Sequence, residues 1–158
     1  GLRGYKSSMY EGGLRVPFIV AGPGIRAGSY SAVPVVGYDL LPTFAALAGL
    51  EGRLPDGIEG GSIKPVLFGK GEGIVRRPRS GLHFYRPLNS VLILDGYKLL
   101  CTHRTGQVEM YNLVEDLSET SNLVSAQPHL VKRMQAALKE WIVSIDAATP
   151  SPRFRHQP

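Results

Sequence analysis

Apolar positions along the chain follow two different periods. From residue 81 onward they first come in short β-prone runs, at residues 81–85, 90–94, 97–102 and 108–111. Asp95-Gly96 and Thr105-Gly106 fall between runs, and both pairs carry hairpin-turn chemistry. The pattern predicts a four-stranded antiparallel meander. Beyond it the period becomes helical. Leu130, Val131, Met134, Leu138, Trp141, Ile142 and Ile145 recur on one face, behind Pro128 in the first turn. This predicts a long amphipathic helix over residues 129–145 that packs on the sheet with Trp141 as its anchor. Three prolines after Ala147 predict a flexible tail over residues 147–158.

The first half is punctuated differently. Phe18-Ile19-Val20-Ala21 reads as a buried strand that stops at the turn Gly22-Pro23-Gly24. Asp39 stands where an N-cap belongs, ahead of a helix over residues 40–48 with Pro42 in its first turn and Gly49 as its stop. Apolar side chains cover most of that helix, so it is expected to be largely buried. A Gly/Pro-rich connection over residues 52–61 leads to a short helical turn over residues 62–68. The polar, glycine-rich stretch 69–80 reads as a surface linker. The expected units are residues 1–68, the linker 69–80, the sheet-plus-helix subdomain 81–146 and the tail. The fold class is α/β (α+β).

Composition narrows the partners. The 158 residues are 43% hydrophobic and 20% charged, as in a soluble globular protein, and no apolar run approaches the roughly 20 residues of a membrane span. The first residues lack the basic start and apolar core of a signal peptide. A net charge of +5 favours anionic partners. The cations are scattered, apart from Arg76-Arg77-Pro78-Arg79 and Arg153-Phe154-Arg155-His156, with no basic helix or aromatic-basic strand pair. Nucleic acid and membrane are therefore not expected partners. A single cysteine excludes an internal disulfide and a cysteine-based zinc site; Cys101, behind Leu99 and Leu100, reads as a small apolar strand residue.

Candidate chemistry concentrates at the start of the chain. Residues 2–17 set Arg3, Lys6, Glu11 and Arg15 among three glycines, directly before the apolar run at residue 18. Such a loop turns tightly or approaches something closely. Lys6, a compact charge with several donors, is the candidate anion binder. Glu11 and Arg15 read as scaffold, with the carboxylate accepting backbone N–H groups or the Arg15 fork. Arg3 is a weaker candidate for attracting an anion. Asp56, Glu59, Asp116 and Glu119 read as turn and capping residues, and His103 as solvent-facing. No carboxylate pair has histidine partners at ligand spacing, so no metal and no cofactor are expected in this chain.

The motifs together resemble a family. Arg3-Gly4-Tyr5-Lys6, three residues, then Tyr10-Glu11-Gly12-Gly13-Leu14-Arg15-Val16-Pro17 is similar to the lysine loop of the type I sulfatases, the arylsulfatase-like branch of the alkaline phosphatase superfamily. Tyr38-Asp39-Leu40-Leu41-Pro42-Thr43 with Leu47-Ala48-Gly49-Leu50 resembles a helix of that family. Pro55-Asp56-Gly57-Ile58-Glu59-Gly60, Tyr97-Lys98-Leu99-Leu100, Glu109-Met110-Tyr111-Asn112-Leu113 and the stretch from Asp116 to Leu123 follow in the family's order. The resemblance implies the C-terminal portion of a sulfatase that hydrolyses sulfate esters of a carbohydrate or an aryl alcohol. It assigns residues 1–68 to the end of the catalytic α/β domain and gives Lys6 contact with the sulfate group or leaving oxygen. His83, near the start of the sheet, would face the substrate. The family also needs a formylglycine nucleophile, made in a Cys-x-Pro-x-Arg setting, and Asp and Asn ligands for a divalent cation, usually calcium. Cys101 is followed by Thr102-His103-Arg104 and does not fit, so both groups are expected upstream of residue 1 and the isolated chain is expected to be inactive. Family habit implies a periplasmic or secreted enzyme. Two alternatives stand beside this reading. One is a non-catalytic interaction module whose bared apolar faces at residues 18–21 and 40–48 drive self-association. The other is a phosphate- or phosphonate-hydrolysing relative.

Overall fold

The computed structural model describes residues 1–148. The chain divides into two compact units: one is Phe18–Ser80, and the other joins Gly1–Pro17 to the chain from Gly81 onward. The N-terminal loop therefore belongs with the sheet, and not with residues 18–68 as the reading of the sequence had it. Its side chains supply a cover that one face of the sheet lacks.

That sheet is the expected meander. Strands β1 (Leu82–Arg86), β2 (Asn89–Leu94), β3 (Tyr97–Thr102) and β4 (Gln107–Asn112) lie in sequence order, each antiparallel to the next. Asp95 and Gly96 both adopt positive φ, 51° and 80°, so a two-residue turn of the type I′ kind joins β2 to β3. The register sets the two faces. His83, Leu92, Leu99 and Met110 are aligned across the four strands on one face, and Phe84, Val91, Leu100 and Glu109 on the other. Beyond β4 the chain covers the sheet edge: Leu123 N–H donates to Met110 O at 2.8 Å, and Asn122 Oδ1 accepts from Met110 N–H at 3.1 Å.

The amphipathic helix closes the first face. Helix α4 runs Pro128–Ala148, three residues past the expected end, so the predicted tail begins later than Ala147 and otherwise lies outside the described residues. Val131, Met134, Leu138 and Trp141 are buried against Leu92, Leu99 and Met110, and Cys101 packs at the rim of this core. The spacing of those four positions is the 3.6-residue period that predicted the helix.

In the unit Phe18–Ser80, helix α2 (Leu40–Ala48) follows a single 3₁₀ turn and ends at Gly49, whose φ of 69° is the left-handed stop. A short helix, α3 (Lys64–Phe68), lies further on. Two expectations of burial fail in this unit. Residues 18–21 form no strand, and Ile19 is 89% exposed, because no neighbouring strand in the unit offers its backbone a ladder. Helix α2 buries only the side carrying Pro42, Thr43 and Ala46, leaving Leu41, Phe44 and Leu47 exposed.

Asp39 stands at the N-cap position of α2, but its side chain makes no capping bond to that helix. Its carboxylate is fully buried and holds the unit together. Oδ2 accepts from Val36 N–H at 2.9 Å and Oδ1 from Gly61 N–H at 3.0 Å. The Arg77 fork grips both oxygens, Nε to Oδ1 at 2.9 Å and Nη2 to Oδ2 at 2.6 Å. The stretch 69–80 is thus pinned to α2 at Arg77 instead of running as a free linker. Thr43 extends the hub by donating to Asp39 O at 2.6 Å and accepting from Ile63 N–H at 2.9 Å. A lost N-cap costs about 1 kcal/mol, whereas breaking a buried ion pair costs about 3–5 kcal/mol. Asp39→Ala is therefore expected to destabilise this unit by the larger amount in urea unfolding; a loss near 1 kcal/mol would restore the capping role.

Candidate functional site

The lysine loop is built by close backbone approach. Gly12 N–H donates to Arg3 O at 2.8 Å and Ser8 N–H to Tyr5 O at 2.9 Å, folding residues 3–12 back on themselves. A Cβ on Gly12 would sit 2.4 Å from Gly4 O, and one on Gly13 would sit 2.3 Å from Ser8 O. Those two positions need glycine because backbone fills the space. A short helix, α1 (Glu11–Leu14), ends the loop.

The loop seats on the sheet face opposite α4. Met9 is buried against Val91 and Leu100, with Tyr10, Leu14, Phe84 and Ile93 around them. Beside this apolar contact lies a charged core. The Lys98 side chain on β3 is 0% exposed, with its ammonium 2.7 Å from Glu119 Oε1 and 3.0 Å from Glu11 Oε1. Glu119, itself fully buried at a positive φ of 56°, also accepts Glu11 N–H at 2.7 Å through its other oxygen. Arg15 adds an outer pair to Glu11 at 3.6 Å. An isolated charge in such a place costs several kcal/mol, and mutual pairing is what makes the burial tolerable.

Arg3 belongs to a second cluster on the same face. It donates to Tyr111 Oη at 2.7 Å and to Glu119 O at 3.0 Å, pairs with Glu109 at 3.5 Å and stacks over the Tyr10 ring at 4.0 Å. Tyr10 Oη donates to Glu109 Oε1 at 2.9 Å, and Tyr111 Oη donates to Oε2. Burial first, then the bond to Glu109, pushes the Tyr10 phenol up to about 12. The Tyr111 phenol is raised too, by burial and then by the same carboxylate.

These contacts sort the charges of the loop. Arg3 is answered by Glu109, and Glu11 by Lys98 and Arg15. Lys6 is exposed and has no hydrogen-bond or ion-pair partner among the described residues. Next to it Ser7 holds a left-handed φ of 75°, and its carbonyl accepts a bond from Arg86 at the end of β1.

His83 does not join this site. It is buried on the α4 face, its ring centroid 4.9 Å from that of Trp141, so the substrate-facing role expected for it is corrected. Strand alternation decides this, because His83 pairs with Leu92 and so points away from the loop. His103 is not simply solvent-facing either; its ring nitrogens lie 3.1 Å from Pro87 O and 3.0 Å from Ser90 Oγ. Asp116 is the turn residue expected, held below the usual carboxylate range by the Ser121 N–H first and then by Thr120. Glu119, three residues on, closes that turn with its N–H on Asp116 O at 3.1 Å, but its side chain is buried in the core.

Lys98, Glu109, Tyr111 and the inward role of Glu119 were missed. The available signal was a lysine between Tyr97 and Leu99-Leu100, in a strand otherwise apolar. Among the described residues no group of three or more His, Cys, Asp or Glu is placed to hold a metal ion. The Cys101 thiol is pushed up by burial. Cys101 is followed by Thr102-His103-Arg104 and so lacks the Cys-x-Pro-x-Arg setting.

Residues 4–147 match the family described as N-sulphoglucosamine sulphohydrolase, C-terminal. The chain belongs to this family. It is 30% identical to a sulfatase of Formosa agariphila over 94% of its own length and 30% of that protein, and 32% identical to arylsulfatase K of Gallus gallus over 87% and 28%. Among solved structures it resembles BT4656 in complex with its substrate D-glucosamine-2-N,6-O-disulfate, with a TM-score of 0.61 and 25% identity, covering 84% of this chain and 28% of that one. The chain thus spans less than a third of the length of these sulfatase-family relatives.

The raised phenols have a pH consequence. A group whose folded-state pKa lies above its unfolded value contributes stability that is complete below the unfolded pKa and is lost as pH rises through the folded one. The contacts of the loop with the sheet are therefore expected to hold up to about pH 10 and to weaken as Tyr10 ionises towards about 12. Ultraviolet titration of the tyrosines alongside near-ultraviolet circular dichroism checks this. Loop signals lost well below pH 10 would contradict it.

Proposed function

We propose that this chain is the C-terminal part of a sulfatase acting on sulfate esters of a carbohydrate, and that Lys6 supplies one positive contact to the sulfate group or leaving oxygen. The observation that carries the reading is the charge balance of the loop. Every other charged side chain of residues 3–15 is engaged by the fold, while the Lys6 ammonium is left for something outside it. Sulfate ester cleavage spreads negative charge over the sulfuryl oxygens and the departing oxygen, and a fixed cation there lowers the barrier. The carbohydrate part rests on family membership and on a neighbour whose substrate is a disulfated glucosamine.

The nucleophile and the divalent cation belong, in this reading, to a part of the enzyme other than these residues, and the enzyme works in the periplasm or outside the cell. Lys6→Ala in the complete enzyme is expected to lower turnover about 10²-fold, the effect of losing one transition-state donor. Near-normal turnover in that variant removes the assignment. The pure 158-residue chain is expected to show no sulfatase activity, and turnover by it would place the nucleophile among residues excluded above.

A second reading has its own observation. Leu41, Phe44 and Leu47 on α2 form an exposed apolar side in the unit Phe18–Ser80. We propose that a longer chain covers this side and that the 158-residue chain alone self-associates through it. Light scattering is expected to report a dimer or larger species that Phe44→Glu returns to monomer. A clean monomer without the substitution counts against it.

A further inference from the structure

We infer that Glu119 and Lys98 are positioning residues for Lys6, a clasp in the sheet that holds the lysine loop in its working conformation without reaching the substrate. This rests on the reading of Lys6 given above. Neither residue is exposed, so neither can touch a ligand. Both act on Glu11, five residues from Lys6. Lys98 holds its carboxylate at 3.0 Å and Glu119 holds its backbone N–H at 2.7 Å. That N–H opens the short helix after the loop, where no side chain of the loop caps it; the cap comes from a residue 108 positions away. Glu119 also reaches back to the loop's start, its own carbonyl accepting from Arg3 at 3.0 Å. One buried residue therefore ties both ends of the segment that carries Lys6, and Lys98 balances the charge that makes the tie possible.

Amide hydrogen exchange on the 158-residue chain tests the clasp. Glu119→Ala is expected to speed exchange at Glu11, Gly12, Gly13 and Arg15 at least about tenfold while Val91 and Leu100 in the sheet keep their protection. Glu119→Gln, whose single amide oxygen cannot accept from both the Glu11 N–H and the Lys98 ammonium, is expected to speed the same amides as Glu119→Ala does. If Glu119→Ala does not fold, Glu119→Asp keeps the charge but falls short of Glu11 N–H and is expected to show the same contrast. In the complete enzyme Glu119→Ala slows turnover, and this cost disappears in a Lys6→Ala background. Loop amides unmoved by Glu119→Ala or Glu119→Asp, or sheet amides accelerating equally, would each overturn the inference. Full activity in Lys6→Ala would sink the reading of Lys6 alone, because the exchange measurement involves no catalysis.

Discussion

A buried ammonium governs the architecture of the sheet unit. Lys98 sits on a central strand with no exposure, and its two carboxylates come from opposite directions along the chain, one 87 residues earlier and one beyond β4. Until both arrive, the inner face of the sheet holds an unanswered cation, and until Lys98 is in place the loop and the Glu119 segment hold unanswered anions. Each of these states costs several kcal/mol. The three segments therefore support one another, and the apolar contact of Met9 with Val91 and Leu100 lies beside their ion pairs. The loop is as much a layer of the sheet unit as α4 is on the other side.

Asp39 and Arg77 apply the same constraint in the unit Phe18–Ser80, with different chemistry. There the cation is a planar fork that satisfies both carboxylate oxygens, and two backbone N–H groups complete the shell. Lys98, a point charge, instead divides itself between two carboxylates. The fork pins one irregular segment to one helix. The point charge joins three distant pieces of chain, and it suits a place where no single partner could supply enough oxygen.

Local periodicity explains which parts were legible in the sequence. The four strands and α4 were readable because alternation, the 3.6-residue repeat and the Asp95-Gly96 turn are written within a few residues of where they act. The glycine-framed loop was also readable, down to the pairing of Glu11 with Arg15. Residues 18–21 were misread because hydrophobicity signals a wish for burial and does not supply the cover. Asp39 was misread because its position before a helix is the same for a cap and for a hub; only Arg77, 38 residues away, distinguishes them. For Lys98, Glu119 and His83 the missing knowledge was which sheet face meets which distant segment. Alternation sorts residues into two sets but does not say what each set will touch.

That sorting also separates two uses of positive charge. In the sequence Arg3, Lys6 and Arg15 share one glycine-framed loop, while Lys98 lies in a β-prone run with no such frame. The fold spends three of the four on its own carboxylates, with Arg3 on Glu109, Arg15 on Glu11 and Lys98 on Glu11 and Glu119. A charge spent in this way is screened by its partner and held in one geometry, so it offers little to an incoming anion. Lys6 has no such partner among the described residues, on a backbone whose neighbours are fixed by glycine packing and by the bond from Arg86 to Ser7. An unanswered cation on an ordered loop is preorganised for an anion, because ordering entropy and desolvation of the scaffold have been met during folding.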